Sequence, residues 1–570
     1  MDAWSPKAWR ATVTGACLAA ALVATWPLAL HPTSAIPTGT ETAATIPVFD
    51  VWTLWWNADR LAHAYAGLWD APIFHPTQGT FTFSEPLLLP GAVAAPLFWL
   101  RAPPALAHNV VLLAILCVDG ILGCRLARAL GIVRLPALLA GILVVALPFF
   151  AKMQGELPVL AIGGTLAAID GIVRFAGDGR TRHAIAAAGG IVAQALSCQQ
   201  FALFSLLFIG AAAVVALAER GFAQSSVVRL AASLSIACGV VYAIARVSLR
   251  VHEELGFSRA ADLVQSLSAK PLDYVIRPAT ALLPFPPRED PSAYTEGLFP
   301  GLLLVGLALL GALTPWLDDR QKRWRWYAIG SSVFALVLSF GLNVSIGSWQ
   351  PFATLRALPG FAEVRSAYRC AVFVQIHLVL LAAFGLATLR RRLPQSWRRP
   401  QALAVAVGLG AAMENLSVPV PLLTLPDGSR APWVAHLAEQ PPETVIAHIP
   451  FPRGGSVEQL APEAWRMLAQ VEHRQPLVNG YSSNFPPVYR EFMFAMGSQF
   501  PQPMLACALK RVFGADLLVV DQDWLTSHQP GFAAITPMLD PSYSDSSVAM
   551  YRLRPSDAEC PPMRVDIGSK

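Results

Sequence analysis

Charge is what this chain has little of. Asp, Glu, Lys and Arg make up 14% of its 570 residues, against about 25% in soluble domains. With 54% hydrophobic residues and a mean hydropathy of +0.48, the deficit lies in long apolar runs. That excludes an ordinary soluble protein and places the chain among polytopic membrane proteins. Eight cysteines are present, but no CxxC pair or Cys/His cluster of the kind that holds zinc. No Walker loop, GxSxG, HExxH or dinucleotide fingerprint stands in a suitable context, which argues against an ATP-driven pump or a protease. Neither a long-period repeat nor a low-complexity linker is present. The net charge of +5 calls for no nucleic acid, because the basic residues sit in short clusters between apolar runs.

Those clusters set an expected topology. Lys7 and Arg10 precede the first apolar run, 11–30. This pattern also fits a signal peptide, but a run of roughly 20 residues is long enough to span, and an uncleaved first helix is expected. The N-terminus is then cytoplasmic and residues 31–105 form an outer loop. Within it, 86–100 is too short to cross and carries Pro90 and Pro96, so it reads as a juxtamembrane or re-entrant helix. Later runs alternate, with basic clusters at Arg125/Arg128, Arg174/Arg180, Arg220/Arg229, Lys322/Arg323 and Arg390/Arg391 all on one side. About eleven spans result, with a long outer loop at 251–297. From 419 to 570 prolines and polar residues return. TVIAHIPF and ADLLVVDQDW read as strands, and EAWRMLAQVEHR as a helix. The expected fold is mainly α: a helical membrane bundle over 1–418, then a small extracytoplasmic α/β domain over 419–570. Cys507 and Cys560 fall in that tail, where they form either a disulfide or two separate core thiols.

The richest polar stretch is 46–96, in the first outer loop. Asp50 there can serve as a general base, with Glu85 a second acid if the loop folds back. Trp52 and Trp56 offer flat faces suited to sugar rings, although Trp is also ordinary at membrane interfaces. Outer-loop cations at Lys152, Arg365 and Arg369 suit phosphate oxygens, or they snorkel at the interface. Asp119 and Asp170 are acids within spans, where such groups face a bundle interior. In EHRQPLVNGYSSN, Asn479-Gly480 reads first as a turn.

Taken in order, DVWTLWWNADRL, IFHPTQGTFTFSEP, LPGFAEVRSAYRCAVFVQIHL and the tail segment MLAQVEHRQPLVNGYSSNFPPVY resemble bacterial polytopic glycosyltransferase-like proteins of the GT-C superfamily. The resemblance covers most of the chain. It implies a bacterial inner-membrane protein that takes sugar from a polyprenyl-phosphate donor at the outer face and passes it, with inversion, to an envelope glycan, lipid or protein. It places Asp50 as the acid acting on the acceptor hydroxyl, with Glu85 as its companion, and Lys152, Arg365 and Arg369 on the donor phosphate. Trp52, Trp56 and His75 would contact sugar or acceptor. Two features depart from the family pattern. Asp50 is followed by Val51 and Trp52 rather than a second acid, and the usual R-x-P-x-R appears as Arg365-Ser366-Ala367-Tyr368-Arg369. No motif supports a divalent metal. The alternative, from a different class, is a non-catalytic envelope-assembly or transport protein that kept the fold.

Overall fold

A computed structural model describes residues 5–39, 45–277, 297–392, 400–414, 416–426, 431–556 and 560. Residues 278–296, most of the expected long outer loop, lie outside the described residues. In chain order the helices of eight residues or more are α1 (Pro6–Ala24), α2 (Thr45–Ala62), α3 (Leu88–Trp99), α4 (Pro104–Ala129), α5 (Arg134–Val145), α6 (Gly163–Asp178), α7 (Thr181–Ser197), α8 (Gln199–Glu219), α9 (Gln224–Glu254), α10 (Leu302–Ala312), α11 (Asp319–Ser339), α12 (Ala371–Arg392), α13 (Pro400–Glu414), α14 (Val457–His473), α15 (Pro487–Gln499), α16 (Pro503–Arg511) and α17 (Gln522–Phe532). Strands of four residues or more are β1 (Ile446–Ile449), β2 (Leu517–Asp521), β3 (Leu539–Ser544) and β4 (Val548–Leu553).

By length and composition, six helical stretches among the described residues can cross a membrane: Pro104–Ala129, Arg134–Lys152, Leu157–Asp178, Gln199–Glu219, Gln224–Glu254 and Ala367–Arg391. The others are shorter or carry charge at one end, as α10 and α11 do.

The chain divides into two compact units. The first comprises residues 1–40, 109–246 and 258–422, and is a helical bundle. Small residues let its backbones approach closely. A side chain on Gly311 of α10 would strike the Leu381 carbonyl of α12, and one on Gly385 would strike that of Leu307. The buried acids are all engaged. Asp119 accepts from the Ile162 N–H (3.4 Å) at the start of α6, where a helix leaves donors unsatisfied. Asp170 binds Arg174 (2.9 Å) and Arg125 (3.2 Å).

The second unit comprises residues 41–108, 247–257 and 423–570. The sequence places the 31–105 loop with the bundle and begins a separate domain at 419, so the grouping differs, and backbone pairing explains why. The sheet runs β1–β2–β4–β3, with β1 parallel to β2 and the other pairs antiparallel. On the free edge of β1, segment 476–478 pairs with Ile446 through Ile446 N–H to Pro476 O and Val478 N–H to Ile446 O. Segment 72–75 then pairs with 477–479: Leu477 N–H donates to Pro72 O, His75 N–H to Leu477 O and Phe74 N–H to Asn479 O. The opening stretch is thereby stitched to the C-terminal sheet. A Cβ on Gly480 would meet the Phe74 ring, so glycine is needed for this approach. Asn479 acts as backbone here, accepting from His448 N–H (2.6 Å) and donating to His448 O (3.2 Å). Cys507 and Cys560 form a disulfide with a Cα–Cα distance of 5.3 Å.

Candidate functional site

The Asp50 stretch is a helix, not a loop. TIPVFDVWTLWW is apolar on every side, and such a helix must be enclosed; every residue from Pro47 to Ala58 is buried. Asp50 goes in with its neighbours and is 3% exposed. Asn57 lies two turns further along the same face, about 10 Å away, and donates to Pro86 O (2.7 Å). Glu85, half-buried, is the residue before that carbonyl. Both candidate acids thus belong to one unit, joined through α2 and the entry to α3. The other acids of the stretch have structural tasks. Asp59 is paired with Arg60 and Arg474, and Asp70 accepts from the Gly79 N–H (2.8 Å) to close a turn.

The expected sugar-contacting rings are occupied by the core. Trp52 is fully enclosed, and its Nε1–H donates to Gln470 Oε1 (2.8 Å) on α14. Trp56 is buried and donates to Leu68 O (2.8 Å). His75 Nδ1 lies 2.9 Å from Phe513 O. These two indoles therefore hold the helix in place and present no open face for stacking. The period of α2 could not reveal this, because a ring on an all-apolar helix reads the same whether lipid, substrate or protein covers it.

The cations are in the bundle. Lys152 is buried, and the left-handed turn at Gly297 leaves the space its stem fills. Gln375 on α12 donates to Gly297 O (2.8 Å) and accepts from Phe149 N–H (3.2 Å), fixing both segments around Lys152. Arg369 pairs with Glu156 in a buried contact and donates to Gln200 Oε1 (2.9 Å). Its Nε–H is buried without a partner. Arg365 is half-buried beside Arg259, whose pKa falls to about 10 through burial and then through the neighbouring Arg365 charge, against the pull of Glu363. Arg259 and Glu156 are residues the sequence reading did not single out. The spacing of Glu156 from Lys152 was visible, but its pairing with Arg369 across 213 residues was not. Two guanidinium groups near enough to repel, one partly desolvated, are a charge arrangement that an anion with several oxygens would relieve. Among the described residues no group of three or more His, Cys, Asp or Glu could hold a metal ion.

A structure of the arabinofuranosyltransferase AftD from mycobacteria aligns over 97% of this chain and 40% of its own, with 15% identity and a TM-score of 0.59. The chain has a GT-C fold. A mutant form of the same enzyme aligns over 97% of this chain and 42% of its own, with 16% identity and a TM-score of 0.57. The oligosaccharyltransferase of Archaeoglobus fulgidus aligns over 96% of this chain and 75% of its own, with 11% identity and a TM-score of 0.48. The chain thus spans about two fifths of the AftD length. No protein-family model and no curated protein matches the sequence. The GT-C fold accounts for the membrane helices.

Proposed function

We propose that this protein is an integral membrane glycosyltransferase that takes a sugar from a polyprenyl-phosphate donor and gives it to an envelope acceptor. The observation that carries the reading is a set of buried and half-buried cations in a GT-C bundle: Lys152, Arg369 with its uncommitted Nε–H, and Arg365 beside Arg259. These groups would hold the donor phosphate and stabilise the charge it gains on leaving. Asp50 would take the proton of the acceptor hydroxyl as its oxygen bonds to the anomeric carbon. The bond from that carbon to the phosphate oxygen breaks on the opposite side, inverting the centre and releasing polyprenyl phosphate. Glu85 would bind or orient the acceptor. The same proposal places this chemistry at the outer face of a bacterial inner membrane and includes eleven spans, a cytoplasmic N-terminus and an outer C-terminal domain.

The deep burial of Asp50 favours a second reading, a non-catalytic GT-C-type assembly or transport protein. One assay separates them. Membranes containing the protein receive polyprenyl-phosphate donors carrying labelled sugars, and label is followed into envelope acceptors. We expect transfer that drops by about 100-fold or more in Asp50→Asn and falls in Arg365→Ala. Transfer unchanged in Asp50→Asn removes the catalytic assignment. No transfer from any donor, with an envelope defect on deletion that Asp50→Asn restores, favours the second reading.

A further inference from the structure

The bundle contains a groove that the proposed reaction does not use. It lies between α8 and α11 and encloses about 550 Å³, within the roughly 300–1,000 Å³ of small-ligand sites. One wall is Ala211, Val215 and Ala218 on α8; the other is Trp326, Gly330 and Phe334 on α11, with Arg323 at one end. Nothing stands within 4 Å of a Cβ built on Gly330. The floor is fixed, since Tyr327 Oη donates to Phe208 O (3.2 Å) and Phe208 stacks on Phe373 of α12.

Apart from Arg323 the lining is almost wholly apolar, and its length selects an occupant. Arg323 and Phe334 are eleven residues apart, about 16 Å along a helix. Half of a roughly 30 Å hydrocarbon core is about the same. The charge is equally specific. At that end of α11 Arg320 is held by Glu219 (2.7 Å), Lys322 by Asp319 (3.0 Å) and Arg325 by Thr314 O (2.9 Å). Among the described residues Arg323 makes no hydrogen bond or ion pair, and it is exposed at the groove mouth.

We propose that this groove is a binding site for an anionic phospholipid, with one acyl chain between α8 and α11 and the phosphate on Arg323. Basic pockets between membrane helices take such headgroups. Native mass spectrometry of the full chain in detergent tests this, with phosphatidylglycerol and phosphatidylcholine of identical acyl chains as probes. We expect a retained phosphatidylglycerol adduct and weaker phosphatidylcholine binding. Arg323→Ala should lower phosphatidylglycerol affinity about fivefold, to the phosphatidylcholine level, and Arg323→Lys should restore the preference. Gly330→Phe and Ala211→Trp, which fill the groove from opposite walls, should abolish both adducts. Arg323 is exposed, so its loss leaves folding intact. A preference for phosphatidylglycerol that survives Arg323→Ala overturns the proposal, as do wild-type adducts in both filled variants.

Discussion

The two units bury polar groups in opposite ways. In the bundle, buried charges pair across long sequence distances. Arg277 binds Glu414 (2.6 Å) over 137 residues, and Arg369 binds Glu156 over 213. Glu414 also accepts from the N–H groups of Leu302 and Leu303 (both 2.8 Å), capping α10. In the second unit the buried long ties are neutral, and the long ion pair, Asp59 with Arg474, leaves its guanidinium exposed. Trp52 reaches Gln470 over 418 residues, and Gln470 donates to Pro72 O (2.6 Å). Its buried ion pair, Glu463 with Arg466 (2.6 Å), is local to α14. Where apolar packing gives little drive for helices to associate, as in a bilayer, directed charge–charge contacts specify the register. Where a sheet's backbone pairing and a packed aromatic core hold the elements together, neutral amides and aromatic rings suffice.

Removing a bundle charge should therefore have the largest effect. Glu414→Ala takes from the buried Arg277 its Glu414 carboxylate and leaves the Leu302 and Leu303 N–H groups without theirs, and should cost about 3–5 kcal/mol, read as unfolding of the full chain in detergent. A loss below about 1 kcal/mol, the size of an exposed pair, would break the contrast. Next is the disulfide. Cys507 and Cys560 close a 53-residue loop, so Cys560→Ser should cost about 2–4 kcal/mol and weaken the second unit alone, seen as faster proteolysis within 423–556 while bundle fragments persist. Trp52→Phe removes the indole N–H and strands the Gln470 oxygen, for about 1–3 kcal/mol; a loss below about 0.5 kcal/mol would show that the tie contributes little.

The last test is a pH slope rather than a loss at one pH. Burial lowers the His473 pKa to about 3, against about 6.5 unfolded. The unfolded chain binds the extra proton first as pH falls. Stability is full above about 6.5 and declines toward 3, by up to about 1.4 kcal/mol per pH unit. His473→Gln should flatten that part of the stability–pH curve relative to wild type. An unchanged slope would mean that His473 is not held neutral. Glu463, whose carboxyl is raised by burial, acts with the opposite sign near its own range, so the comparison must be wild type minus variant.

Much of the helical order was legible because a membrane span needs a long apolar run and little else. The helix read over 463–474 was equally plain from its amphipathic face, while its start at Val457, capped by Ser456 and Gln459, came from the structure. Less legible was what covers each face. Trp52 and Trp56 had the composition of a binding surface and became core, since an apolar helix does not record which partner buries it. Arg369 read as a phosphate ligand, while its pairing with Glu156 depends on two segments meeting in space.

The sequence by itself determined that this is a multi-span helical membrane protein and singled out Asp50, Lys152, Arg365 and Arg369 as candidates, because hydropathy and charge act locally along the chain. Only the tertiary structure decided that residues 72–75 pair with 477–479, that Asp50 is enclosed with the C-terminal sheet's unit, and that Arg259 stands beside Arg365. Those are long-range contacts, set by backbone hydrogen bonding and packing that no local pattern encodes.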